Sequence, residues 1–375
     1  MVKKIAQSRK LLILGDASSI HTIRWVNSLS ENGYCISLFT LSPFDRNKYA
    51  AQIQVNSLNL SPSIINKSSG NFNKLLYLKS ILILNKIKNE FNPDIIHAYY
   101  VSSYGLLASC INFKPIIISA WGTDIYEFPE RNLLNKSILK FVLRRAKLIF
   151  STSQHMAKLI AKYTSEEKIK VIPFGVDTEK FFPVNKIFNN QIVIGTIKSL
   201  EDTYGIDTLI KAFKLVKSKV DNIVLKLVIV GKGSKKYELI KLAEKLNISE
   251  YIEFVGFIDH SIIESYHQKI DICVYLSRRE SFGVSVLESS ACSKPIVASR
   301  IDGLVEVVKE NYSGFLVEPD NPKEAAIAIM KLVKNAELRK IMGENGREYV
   351  LRNFRWNYSL DLTLNEYNEV LKNVN

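Results

Sequence analysis

Cysteine is scarce in this sequence, and so are long apolar runs and acidic residues in its first half. The four cysteines, Cys35, Cys110, Cys273 and Cys292, show no CxxC spacing. That excludes a disulfide framework or a thiolate metal knuckle as the organising element, and their apolar surroundings predict buried thiols in a reducing compartment. No apolar stretch approaches the ~20 residues that a spanning helix needs. The basic N-terminus is followed only by Leu11–Leu14, too short for the core of a secretory signal. Residues 1–185 hold 24 Lys+Arg against 12 Asp+Glu, so +12 of the net charge of +14 lies in the first half. Such a surplus suits an anionic partner, for which a lipid phosphate, a membrane surface and a nucleic acid are the candidates; a merely solvated basic surface is the alternative.

What is present is the composition of a globular protein: 47% hydrophobic and 23% charged residues exclude disorder, and 375 residues are too many for one ordinary core. Strand-like runs at Lys10–Gly15, Cys35–Thr40, Ile95–Ala98, Ile116–Ala120 and Leu148–Ser151 alternate with helical patterns at Ile20–Asn32, Asn71–Phe91 and Leu133–Lys147. A second series has strands at Ile192–Thr196, Leu225–Val230, Ile252–Val255, Ile272–Leu276 and Pro295–Ala298, with helices at Ile206–Lys217, Lys236–Leu246, Ile262–Gln268 and Val284–Ala291. This rhythm predicts an α/β protein of two doubly wound, Rossmann-like domains with parallel sheets, facing each other across a cleft. The expected division is 1–185 and 186–350, with a linker near 182–190 and a C-terminal helix in 351–375 packing back on the first domain. Parallel sheets bind ligands beyond the carboxyl ends of their strands, so two of them suit an enzyme that joins two substrates.

The strongest local signal runs from Arg279 to Glu288. It follows a strand and opens a helix, with Gly283 allowing close backbone approach and the first helical N–H groups favouring an anion such as a diphosphate. Glu288 stands two turns along that helix, where a carboxylate can accept hydrogen bonds from a ribose diol. Alone, a pair of glutamates spaced E-x7-E reads equally as solvated helix residues.

The surroundings add to it. VIPFGVD at 171–177, FFP at 181–183, GTIK at 195–198, GIDTLIKAF at 205–213, VGKG at 230–233, FVGF at 254–257, GLVE at 303–306 and GFLVEPD at 314–320 stand around it in order. Together they resemble the retaining glycosyltransferases of the GT-B fold whose signature is E-x7-E. The resemblance implies transfer of a hexose-type sugar from a UDP- or GDP-sugar, with no bound cofactor and no metal. It implies that Glu288 binds the donor ribose and Glu280 the transferred sugar. Lys198 neutralises the leaving diphosphate, and backbone amides near Phe282, Gly283 and Val284 hold it. Gly195, Thr196, Gly231, Phe257, Arg279 and Ser281 complete the implied donor site. The step it implies is front-face attack by the acceptor hydroxyl. Tyr204 stands where the family often has a second lysine, and Arg278 or Arg279 is the candidate to replace that charge.

The acceptor is expected on the first domain. Gly15, Ser19, His21 and Arg24 follow the first strand, where helix capping by Ser18 or Ser19 is the alternative reading. His97 ends the strand Ile95–Ala98 and is a candidate catalytic residue, with a core position as the alternative reading; Asp124, which can accept a proton, is a second candidate. Trp121, where many relatives have histidine, can stack on a sugar face. The helices Asn71–Phe91 (Lys74, Lys79, Lys86, Lys88) and Leu133–Lys147 (Lys136, Lys140, Arg144, Arg145, Lys147) mix Leu and Ile with cations, as interfacial helices do. Cytoplasmic, peripheral attachment to an anionic inner-membrane surface follows as an expectation, with a lipid-linked or oligosaccharide acceptor and a role in O-antigen, lipopolysaccharide or capsule synthesis. Rival readings are a sugar-nucleotide epimerase, a phosphorylase, a sugar-binding protein without activity and a basic nucleic-acid binder; no nucleic-acid motif is present.

Overall fold

The computed structural model describes residues 9–61, 71–184, 191–220 and 222–372, with the backbone alone for 71–78. The chain divides into two compact units. One runs to Ile172 and takes back the chain from Leu360; the other is Pro173–Ser359. The expected linker near 182–190 therefore falls inside the second unit, and its residues 185–190 lie outside the described residues.

The first unit carries β1 (Lys10–Leu14), β2 (Cys35–Thr40), β3 (Gln54–Ser57), β4 (Ile95–Tyr99), β5 (Ile116–Ala120), β6 (Leu148–Ser151) and β7 (Ile169–Val171). They form one parallel sheet in the order β3-β2-β1-β4-β5-β6-β7. The second unit carries β8 (Gln191–Ile197), β9 (Val224–Val230), β10 (Ile252–Gly256), β11 (Ile272–Tyr275), β12 (Ile296–Ser299) and β13 (Gly314–Val317). These too are parallel, in the order β10-β9-β8-β11-β12-β13. Strand order reverses between β1 and β4 in one sheet and between β8 and β11 in the other. Each unit is thus a Rossmann-like α/β domain, and each reversal leaves a crevice at the carboxyl ends of the two strands.

The central strands are runs of Ile, Leu and Val because helices cover both faces: every residue of β4, β5 and β6 is buried. The helix Ile206–Lys217 buries Ile206, Leu209, Ile210, Phe213 and Val216 against the second sheet and turns its lysines outward. Two helices beyond the expected elements, Pro322–Lys334 and Ala336–Asn353, are each capped by an asparagine. Asn321 accepts from the Glu324 N–H at 3.1 Å and Asn335 from the Leu338 N–H at 2.9 Å. The last helix, Trp356–Lys372, passes at Leu360 into the first unit, where Tyr367 is buried. Cys273 and Cys292 are buried as expected, whereas Cys35 and Cys110 are exposed: one opens β2 directly after a turn and the other ends a five-residue helix. No described helix is long and apolar enough to cross a membrane.

Gly205 shows how tightly the second sheet is joined at its reversal. It has φ +59°, and a Cβ there would stand 1.9 Å from the carbonyl oxygen of Leu276, the residue that follows β11. Gly33 has φ +87° with nothing within 4 Å. Gly33→Ala should therefore cost only the left-handed penalty of about 1 kcal/mol. Gly205→Ala adds a backbone collision, for which a loss of ~3 kcal/mol or more is expected. Parallel thermal unfolding checks this: the fall in Tm should be several times larger for Gly205→Ala, and equal falls would show that the loop simply moves aside.

Candidate active site

The second unit gathers opposite charges at the crevice between β8 and β11. Lys198 follows β8 and Glu280 lies in the loop after β11; their side chains form an ion pair, each about one-tenth exposed. The Ser277 hydroxyl donates to the same carboxylate at 3.4 Å. The Lys198 ammonium also stands 4.9 Å from the centre of the Tyr204 ring, so the residue that replaces a second lysine contributes an aromatic face to the first one. Gly231, at φ +145°, brings the end of β9 against the Lys198 carbonyl: a Cβ would be 1.9 Å from that oxygen. Phe257, after β10, is exposed, with the Lys232 ammonium 4.4 Å over its ring.

Beyond Glu280 the loop turns through Ser281 and Phe282 to Gly283. Phe282 is buried, its ring 6.4 Å from Phe174 and 5.7 Å from Phe354, which anchors the loop from below. Gly283, at φ +90°, starts the helix Val284–Ala291. Its carbonyl takes the N–H groups of Val286 and Leu287, so those of Val284 and Ser285 have no intrahelical acceptor. Glu288 is buried two turns on. Its carboxylate lies 3.2 Å from His260 Nε2 through Oε1 and 3.3 Å from His267 Nε2 through Oε2. Burial alone would push this carboxyl up; the hydrogen bond from His260 and the two histidines facing it outweigh that and hold the group at about 2, ionised at neutral pH.

In the first unit the crevice between β1 and β4 is aromatic. A Cβ on Gly15 would lie 2.9 Å from the Tyr99 ring, so the glycine admits that ring. Tyr99 stacks on Trp121 at 4.9 Å, and Trp121 meets the edge of His21 at 6.0 Å. Gly15, His21 and Trp121 are thereby brought together around Tyr99. Ser19 is the N-cap of the helix Ile20–Glu31 but makes no side-chain cap bond; Ser18 instead donates to Asp16 at 2.8 Å. Arg24 lies one turn along, half-buried. Among the described residues no group of three or more His, Cys, Asp or Glu is gathered closely enough to hold a metal ion.

Residues 177–349 match the family model for glycosyl transferases group 1, and residues 10–153 match that for glycosyl transferase 4-like proteins. An uncharacterized glycosyltransferase of Methanocaldococcus jannaschii is 30% identical over 275 residues, 72% of this chain and 74% of that protein. The chain belongs to the glycosyltransferases. Its fold is that of sucrose-phosphate synthase from Thermosynechococcus elongatus, with a TM-score of 0.83 at 19% identity over 97% of this chain and 99% of the other. HepE from Anabaena, in a crystal structure with UDP and glucose, has the same GT-B fold: TM-score 0.78, 19% identity, 96% and 99% of the two chains.

Several residues expected in this glycosyltransferase's site serve its framework instead. His97 is 2% exposed; its Nδ1 lies 2.5 Å from the Tyr367 hydroxyl and its Nε2 2.8 Å from Ser119 Oγ. Burial lowers it to about 3, so it is neutral and has no ring nitrogen left for chemistry. Asp124 is fully buried and accepts the N–H groups of Val101 at 2.8 Å, Gly122 at 2.8 Å and Trp121 at 3.2 Å. It pins two loops together, and burial, only partly offset by those bonds, raises it to about 6. Gly195 and Thr196 lie inside β8: a Cβ on Gly195 would meet Ile270 at 2.7 Å, and Thr196 is buried with no partner for its hydroxyl. Of the two arginines proposed to stand in for the missing lysine, Arg278 is already neutralised, by Asp207 at 2.9 Å and Asp320 at 2.7 Å; Arg279 is exposed. Conversely, Tyr99, His260 and His267 border these clusters without having been singled out. An aromatic residue directly after His97-Ala98 at a strand end was the available signal for Tyr99; nothing local marked the histidines.

The Glu288 carboxyl, at about 2 when folded against an ordinary 4.5, ties stability to pH. A lowered pKa contributes stability that is complete above the ordinary value and is lost as pH falls toward the folded one. The gap in urea midpoint between the wild type and Glu288→Gln should thus shrink as pH falls from ~pH 5 toward ~pH 2.5. A gap independent of pH over that range would show that the two histidines do not hold the carboxylate ionised.

Proposed function

We propose that this glycosyltransferase moves a hexose-type sugar from a UDP- or GDP-sugar to a hydroxyl of a lipid-linked or saccharide acceptor, with retention and without a metal. The observation that carries the donor half is the Lys198–Glu280 pair at the β8/β11 reversal, followed on the same loop and helix by ionised Glu288. Breaking a sugar–diphosphate bond builds negative charge on the leaving phosphate. Catalysis then needs fixed donors and cations more than acid–base groups. Lys198 and the N–H groups at Gly283, Val284 and Ser285 supply these, Glu280 contacts the transferred sugar, and Glu288 takes the ribose diol. Arg279, Ser281, Gly231 and Phe257 border the same donor. The acceptor hydroxyl attacks from the face the leaving group departs, and no protein nucleophile is invoked. HepE, crystallised with UDP and glucose, agrees with the donor class. The acceptor is assigned to the Gly15, Ser19, His21, Arg24 and Trp121 region, where Trp121 offers a sugar its ring.

A panel of UDP, GDP and ADP with their sugars tests this by thermal shift. At least one nucleoside diphosphate should raise Tm, and Glu288→Ala should abolish the rise. Glu280→Ala should keep the rise and lose sugar transfer, and Lys198→Met should lower kcat by about a hundredfold. Silence toward every nucleotide would sink the assignment.

The acceptor class rests on a second observation. Leu133 and Leu134, which open the helix Leu133–Arg145, are 82% and 69% exposed, and Lys136, Lys140 and Arg144 on the same helix are exposed too. Apolar residues beside cations suit insertion at an anionic leaflet, each cation adding ~1 kcal/mol there. On this reading the enzyme sits peripherally on the cytoplasmic membrane face and serves synthesis of a surface polysaccharide such as an O-antigen or capsule. Vesicles with anionic lipid should float the protein, neutral vesicles should not, and Leu133→Ser with Leu134→Ser should weaken recovery. Equal recovery from both vesicle types would end the membrane reading.

A further inference from the structure

Beneath Glu288 lies a buried polar chain that nothing in the donor reading uses. His267, in the helix Glu264–Lys269, has no exposed surface. Phe181, itself buried, meets its ring edge-on at 5.4 Å. Its Nδ1 lies 2.8 Å from Ser289 Oγ, and Ser289 Oγ lies 2.7 Å from the Tyr275 hydroxyl. Its Nε2 faces Glu288 Oε2 at 3.3 Å but makes no hydrogen bond. On the exposed side His260, about one-third exposed, reaches the other carboxylate oxygen, Oε1, at 3.2 Å.

The Tyr275 O–H donates to the Ser285 carbonyl at 3.0 Å, Ser289 Oγ bridges Tyr275 and His267 Nδ1, and a proton on Nε2 aims at Glu288. The other neutral tautomer would set a nitrogen lone pair against a carboxylate in a dry interior, an arrangement with no compensating bond. A carboxylate turns easily about its last side-chain torsion. A buried donor on one oxygen removes that freedom and leaves the second oxygen for an exchangeable partner.

We infer that His267 is a positioning residue for the donor: anchored at Nδ1 by Ser289, its Nε2–H faces Oε2 of Glu288 and leaves Oε1 to the hydroxyls of a nucleotide ribose. The inference rests on the reading of Glu288 as the ribose carboxylate. His260 holds Oε1 from the exposed side, where an incoming hydroxyl competes with it.

Calorimetric titration of the intact chain with UDP and GDP, each beside its 2′,3′-dideoxy analogue, tests this. The wild type should bind one of the two nucleotides at least tenfold more tightly than its dideoxy form. His267→Leu should weaken the ribose form about tenfold while leaving the dideoxy form nearly unchanged, so that the preference collapses. His267→Gln, which can still direct an N–H toward Glu288, should restore most of it. Should His267→Leu not fold, Ser289→Ala carries the test, with a partial loss of the same preference. Equal weakening of both forms would mean a purely structural role and overturn the inference, as would an unchanged preference. A wild type with no preference for the ribose form, or with no binding, overturns the reading of Glu288 and the inference with it. A preference lost in Glu288→Ala but kept in the His267 variants overturns the inference alone.

Discussion

A lysine and a glutamate held almost out of water, where the order of strands reverses, are the contact around which the second unit is built. Removing two charges from water is costly, and their attraction offsets that only when geometry and further hydrogen bonds are good. Lys198 and Glu280 meet this condition through the Ser277 hydroxyl and the face of Tyr204. The pair can exist only because three loops come within backbone contact there. That closeness is what demands a residue without a side chain at Gly205, against Leu276, and at Gly231, against Lys198. The proposed catalytic electrostatics and the fold's stability thus share the same few residues.

The same residue types serve opposite ends in the two units, and burial with partners decides which. Glu288 is buried yet ionised because two histidines face it. Asp124, equally buried, is raised to about 6 because only backbone N–H groups reach it, and its task is to hold two loops in register. His97 is kept neutral by burial and spends both ring nitrogens on Tyr367 and Ser119. A polar residue at a strand end is therefore not a site by position alone; what matters is whether its partners leave an atom to spare.

Much of the architecture could be read from hydropathy. Runs such as Ile116–Ala120 and Ile272–Tyr275 announce parallel strands covered on both faces, and the structure places them there. β3 could not be read this way: Gln54–Ser57 is short, polar and at the sheet edge, where one side needs no apolar cover. The helices Pro322–Lys334 and Ala336–Asn353 had signals that went unused, each beginning at an asparagine cap. In the candidate site, Arg279–Glu288 was legible because strand, turn and helix lie together in sequence. Gly195 and Thr196 lie in the strand in both readings; what the sequence did not show is that a Cβ on Gly195 would meet Ile270 and that the Thr196 side chain is buried in the sheet.

Sequence alone determined the two parallel-sheet units, the glycine turn that opens the helix carrying Glu288, and the basic bias of the first half. Each is a local or additive property: periodicity, turn chemistry and charge are summed along the chain. Tertiary structure alone decided that Lys198 meets Glu280, that Tyr99 joins Gly15 to Trp121, and that His260 and His267 flank Glu288. These contacts join residues tens of positions apart through sheet order and helix packing, and no spacing rule encodes them. Whether a buried polar group is framework or instrument depends on its neighbours in space, and the fold supplies those neighbours.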